Sequence, residues 1–243
     1  MKERNIILAI FTIGFMLLAG CDVSIRNEVI RGTGERVSQS FPFDNFTGVE
    51  LSGSGVVNFH HSETNSITVT MYENLFDYLE MNVRSGTLDI GFRRGVGIEL
   101  GEYGKQIDIY APMLERLDVS GSFTTGYWDT IYASSFSVDI SGFGSFSFNM
   151  QVDTLEIDAS GAATFELSGV ADDVNIVSSG FGNINAAYLQ AQDARIDISG
   201  SSTVEIAVSD NLDVTLSGFG GVRYIGTPTV TQSISGFGTV EQR

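Results

Sequence analysis

Three aspartates, Asp118, Asp139 and Asp158, stand two residues before the serine of three successive Ser-Gly pairs. On adjacent strands of a parallel stack they would lie about 5 Å apart. Carboxylates so close repel one another, and a hard cation such as Ca²⁺ could bridge them. Two readings follow. One is a metal-assisted site in a polysaccharide-acting β-helix enzyme of the lyase or hydrolase type; the other is a solvated acidic face that keeps the molecule soluble. A lyase also needs a base to take the proton, and residues 114–243 offer only Arg116, Arg195, Arg223 and Arg243, with no lysine. The solvated face is the expectation, with no metal and no cofactor.

Other reactive side chains are sparse. His60 and His61 are neighbours in a strand-like segment, so they point to opposite faces and cannot share one site. There is no G-x-S-x-G, G-x-G-x-x-G, P-loop or H-E-x-x-H. Serines abound without an evident base, and an unactivated serine is only a hydroxyl. These absences argue for a binding protein rather than an enzyme, with no catalytic residues assigned. The best contact candidates are Tyr127 and Trp128, in the stretch where the Ser-Gly spacing is longest. Extra residues in a solenoid go to a protruding loop, and Tyr and Trp anchor sugars or proteins well. The competing reading packs the only tryptophan against a neighbouring coil.

The one cysteine has a different assignment. Lys2 and Arg4 precede an apolar run from Ile6 to Leu18, too short to span a bilayer and right for a signal peptide. It leads into Leu18-Ala19-Gly20-Cys21, small residues before a lone cysteine, as in a bacterial lipobox. Cys21 is therefore expected to carry lipid and to tie the protein to the bacterial cell envelope, at the outer membrane or cell surface. Lys and Arg total 13 against 30 Asp and Glu, for a net charge of −17. Such a chain excludes nucleic acid as a partner, because phosphate binding needs clustered cations. A protein or neutral glycan of an envelope or host surface suits it better.

The elements that must position these residues are read from the Ser-Gly pairs. Their glycines are Gly121, Gly142, Gly161, Gly180, Gly200, Gly218 and Gly236, in steps of 18 to 21 residues. A period near 19 with a fixed turn marks a solenoid whose repeats bury their apolar sides only against one another. The residues three and one before each serine are apolar in twelve of fourteen cases, from Leu117 and Val119 onward. In-out-in alternation points them inward and leaves the aspartate column outside. The predicted fold is all-β, a right-handed parallel β-helix with coils of about 19 residues. Glycine after each serine is expected to supply a positive φ at the corner. Two residues after the serine, Phe143, Phe181, Phe219 and Phe237 nearly alternate with the small residues Ser122, Ala162 and Ser201. Ring stacking in core or corner packing is expected there, a ligand-binding aromatic ladder being the other reading.

The organisation that results is a lipoprotein signal peptide over 1–20, a polar tether over 21–40 and a head over 41–243. Within the head, 41–113 is a β-rich N-terminal part and 114–243 the Ser-Gly β-helix. Met81–Arg84 and Thr87–Ile90 around Ser85-Gly86 read as a hairpin.

Combined motifs of the head resemble a known family. Phe46-Thr47-Gly48-Val49 leads to Leu51-Ser52-Gly53-Ser54-Gly55, and Glu73-Asn74-Leu75 precedes an apolar turn. Gly86-Thr87-Leu88-Asp89-Ile90 follows, then Ala111-Pro112-Met113-Leu114-Glu115-Arg116-Leu117 opens the repeats. From about Phe41 to the end the chain resembles the auto-transporter adhesin, head GIN domain family. The resemblance implies a β-helical envelope protein with an adhesive role and brings no catalytic residues.

Overall fold

The computed structural model describes residues 28–243. Cys21 and the proposed signal peptide lie outside the described residues. From Phe143 to Leu216 each coil is nearly one continuous strand: Phe143–Ala159, Ala162–Ser178, Phe181–Ile198 and Ser201–Leu216. Each is interrupted only at Ser-Gly and pairs in parallel with the next. The alternation read from the sequence holds. Leu117, Ile140, Ile176, Ile196, Ile198 and Val214 are fully buried in one continuous core. Ser178, polar at an inward position, meets Ser202 Oγ at 2.7 Å, so the two buried hydroxyls satisfy one another. Only the last coil departs: Ile234 is 42 % exposed, because no coil stacks above it among the described residues.

The corner glycines have another cause than the expected one. None of the seven from Gly121 to Gly236 has a positive φ. Successive corners run backbone on backbone, with Phe143 N–H donating to Gly121 O and Ala162 N–H to Gly142 O. A Cβ on any of these glycines would fall inside the carbonyl oxygen of the corner one coil earlier. Glycine is needed for close approach, not for conformation. Positive φ occurs at an eighth member, Gly53, at +93°.

Gly53 belongs to the ladder because the stack takes in residues ahead of 114. Gly48–Leu51 pairs in parallel with Arg116–Val119, and Ser54–His61 with Ser122–Trp128. On the far side the same two strands pair in parallel with Thr87–Phe92 and Gln106–Ala111. The coil of residues 48–61 is therefore sandwiched between 87–111 and 116–128, out of chain order. Antiparallel strands close this end. Leu79–Arg84 pairs with Thr87–Phe92, and Ser66–Tyr72 pairs with both Gln106–Ala111 and Arg36–Pro42. An antiparallel cap uses up edge hydrogen bonds that a bare parallel coil would offer to another chain. Part of the stretch expected to be tether is thus built into the fold. Arg36–Pro42 is a strand whose Ser38 and Ser40 hydroxyls meet Thr70 and Thr68 at 2.8 Å, and Glu28–Arg31 pairs with Val96–Glu99.

Lys105 lies inside this end, 1 % exposed. Gly55, its neighbour in the next coil, is glycine because a Cβ there would fall against the Lys105 carbonyl oxygen. Its ammonium rests 4.8 Å from the Phe92 ring centroid and 5.3 Å from that of Phe123. It donates to Ser52 O at 3.3 Å. Burial lowers its pKa to about 8, because the charged form loses its water.

Candidate functional site

The aspartate column is in register. Asp118 pairs with Asp139 and Asp139 with Asp158. It is longer than the repeats disclose, since Glu50 pairs with Asp118 and Asp89 with Glu50. Five carboxylates thus lie on five successive coils. The signal for Glu50 was present: Val49-Glu50-Leu51-Ser52-Gly53 has the spacing of the later repeats. Asp89 had none, because its coil carries no Ser-Gly at the corner. Arg116 Nε donates to Asp118 Oδ2 at 2.7 Å, and that bond with the surrounding charge raises the arginine pKa further. Asp139 is pushed above the usual carboxylate range, first by burial and then by Asp158 and Asp118. Among the described residues no three His, Cys, Asp or Glu side chains are grouped to hold a metal ion. Among the described residues Arg116 is the one cation bridged to a carboxylate of the column.

Tyr127 and Trp128 separate. The Trp128 indole is half-buried, 5.7 Å from the Phe59 ring centroid and 5.0 Å from that of Phe148. It packs between coils and is not displayed as a contact. The Tyr127 ring is 58 % exposed and continues an aromatic stack running across three coils. Tyr110 lies 4.7 Å from His60, and His60 lies 5.1 Å from Tyr127, with interplanar angles of 15° and 17°. A polar net holds the stack. Asp108 Oδ1 lies 3.2 Å from His60 Nε2 and accepts from Asn58 Nδ2 at 2.8 Å, while Asn58 Oδ1 accepts the Tyr127 N–H at 2.7 Å. Tyr127 Oη donates to Asp129 Oδ1, which lowers the Asp129 pKa and raises that of Tyr127. His60 joins this stack, whereas His61 is exposed and its backbone N–H donates to Asp129 Oδ2 at 2.9 Å. That His60 would meet two tyrosines could not be read from the chain, because Tyr110 belongs to the out-of-order coil.

The phenylalanine column was expected to stack in core or corner packing; one pair stacks, but no ring enters the core. Phe143, Phe181, Phe219 and Phe237 are 65 %, 69 %, 60 % and 79 % exposed. They stand at one register position on the outside of the corner, with Ala162 and Ser201 in the coils between. Phe219 and Phe237, on adjacent coils, stack at 5.5 Å. The inward apolar positions were already filled by the alternating columns, so the residue just past the corner faces water. Phenylalanine there has no core to enter.

The profile of the family described as "Putative auto-transporter adhesin, head GIN domain" matches residues 45–228. The chain belongs to that family. Membership points to an adhesin-like role at the cell surface or envelope. Solved structures share the fold. A putative adhesin from Bacteroides fragilis is 18 % identical over 88 % of this chain and 100 % of its own, with TM-score 0.81. One from Parabacteroides distasonis is 21 % identical over 89 % and 100 %, with TM-score 0.67. A putative lipid binding protein from the same species is 22 % identical over 89 % and 100 %, with TM-score 0.60. None of the curated proteins matches this chain. Among the described residues no helix is long and apolar enough to cross a membrane.

Proposed function

We propose that the protein is a lipid-anchored envelope adhesin that holds its target along the side of the solenoid and does not turn it over. Lipid on Cys21 would fix the N-terminal end, so that the repeat stack projects from the membrane. The acidic body gives no attraction to anionic lipid, which leaves the acyl chains to carry attachment. The observation that carries the binding role is the exposed aromatic surface, four phenylalanines on one corner with Tyr127 on another part of the wall. Solenoids bind through such extended surfaces, and solvent-facing aromatic rings have no folding role to explain them. A protein or a neutral glycan is the class of target.

Two measurements test the reading. Mass spectrometry of the mature wild-type chain is expected to show an acylated N-terminal Cys21, lost with signal-peptide cleavage in Cys21→Ala. A mature protein without acyl mass removes the anchor. Intact cells carrying the protein are expected to adhere to a target surface and to lose that adhesion when added protease trims the head. A head that protease reaches only after lysis removes the adhesive role.

A further inference from the structure

The phenylalanine column is the centre of a stripe without charge. The five residues from serine through each corner read Ser120–Thr124, Ser141–Ser145, Ser160–Thr164, Ser179–Asn183, Ser199–Thr203, Ser217–Gly221 and Ser235–Thr239. Not one is Asp, Glu, Lys or Arg, in a chain that is 18 % charged. The serine column on one side is exposed in every one of these coils, and Ser145, Asn183, Thr203 and Thr239 are exposed on the other. Close packing explains the glycines of this corner and the buried Phe123, Ala163 and Ser202, but none of its outward residues. Ser122, Ala162 and Ser201 show that a small residue suffices where phenylalanine stands. The rings are therefore surplus to folding.

We propose that this stripe binds a neutral, extended glycan lying parallel to the solenoid axis, an inference that rests on the adhesin reading above. The apolar faces of sugar rings stack on aromatic side chains. Sugar hydroxyls pair with the flanking Ser, Thr and Asn groups, which donate and accept without charge. Corner sites repeat at the coil spacing of about 4.8 Å, close to the advance of one sugar along an extended β-1,4-linked chain. Phe143 to Phe237 covers five coil steps, roughly 24 Å, so several sugars would lie on the stripe together. An anionic polymer would meet the repulsion of a molecule whose net charge is −17. A second copy of the chain would bring the same charge against itself.

The test uses the full-length chain in mild detergent, run through gels containing a soluble β-1,4-glucan, a β-1,4-mannan or a carboxymethylated glucan. The variant is Phe143→Ser, Phe181→Ser, Phe219→Ser, whose serines the column already accommodates at Ser122 and Ser201; far-ultraviolet circular dichroism checks its fold. At least one neutral gel is expected to retard the wild type with little salt dependence. The triple variant should bind at least tenfold more weakly, while Tyr188→Ala, which removes an exposed ring away from the corner, binds as wild type does. Equal retardation of the triple variant overturns the proposal, as does retardation by the carboxymethylated glucan alone or by none of the three. A dimer in ultracentrifugation that the triple variant abolishes, without glycan binding, also overturns it in favour of a second copy. Cell adhesion undiminished by the triple variant removes the stripe and leaves the adhesin reading standing. Loss of both adhesion and surface exposure in the wild type removes that reading itself.

Discussion

Gly53 and Gly180 occupy the same corner of the solenoid, four coils apart, and are glycine for different reasons. At Gly53 φ is +93°, and a Cβ would find nothing nearer than Lys105 Nζ at 3.8 Å. At Gly180 the conformation is ordinary and the space is filled by the carbonyl of Gly161. The N-terminal coils are shaped individually, by local conformation, an antiparallel cap and a buried lysine. The repeats take their constraints from each other, so one steric rule recurs seven times. A solenoid of this kind joins a singular end to a periodic body.

Breaking the corner should show the difference most strongly. Gly180→Ala is expected to cost about 3 kcal/mol or more, because the clash is with neighbouring backbone that cannot rotate away. Gly53→Ala should cost roughly 1–2 kcal/mol, the price of a left-handed backbone with a side chain. Denaturant midpoints of the two variants decide it, and equal losses would erase the distinction.

The buried lysine sharpens the same contrast through pH. Its folded pKa of about 8 lies below the ordinary 10.5, so the unfolded chain binds the proton more tightly. Stability therefore rises with pH between about 8 and 10.5 and is lower below that window. At pH 7 the charged form costs up to about 3 kcal/mol, part of it returned by the Phe92 and Phe123 rings. Lys105→Met should be more stable than wild type at pH 7 and lose that advantage as pH passes 10.5. A variant less stable at pH 7 would mean the ring contacts outweigh desolvation.

The smallest effect belongs to the acidic column of the periodic body. Asp139 has a raised pKa, so its ionised form is the disfavoured one in the fold. This contribution destabilises above the folded pKa and fades as acid protonates the group. Asp139→Asn should add less than about 1 kcal/mol at neutral pH, the scale of partly exposed charges, and the gain should shrink in high salt. A loss of stability instead would show that Asp139 serves as a partner for Arg116.

Periodicity made most of the fold legible. The inward columns, the outward aspartates and the corner glycines all follow from one 19-residue rule, since each coil repeats its neighbour's environment. The reason for the glycines was not legible, because a positive φ and a close approach leave the same mark on a sequence. Trp128 was likewise open: a bulky ring in a long coil can face either way, and only Phe59 and Phe148 show that it faces inward.

The sequence by itself determined a parallel coil, its period and which columns turn inward, because those depend on alternation within a strand and on contacts at a constant offset. It also bounded the partner through charge. Only the tertiary structure decided that residues 48–61 sit between 87–111 and 116–128, which lengthens the acidic column and builds the Tyr110–His60–Tyr127 stack. Stacking order is set by which edges find partners, and no local pattern encodes it. Only the structure placed the phenylalanine column in water. The residue just past a corner can turn to either side, and the backbone geometry of that corner, imposed by the coil beneath, sets its direction.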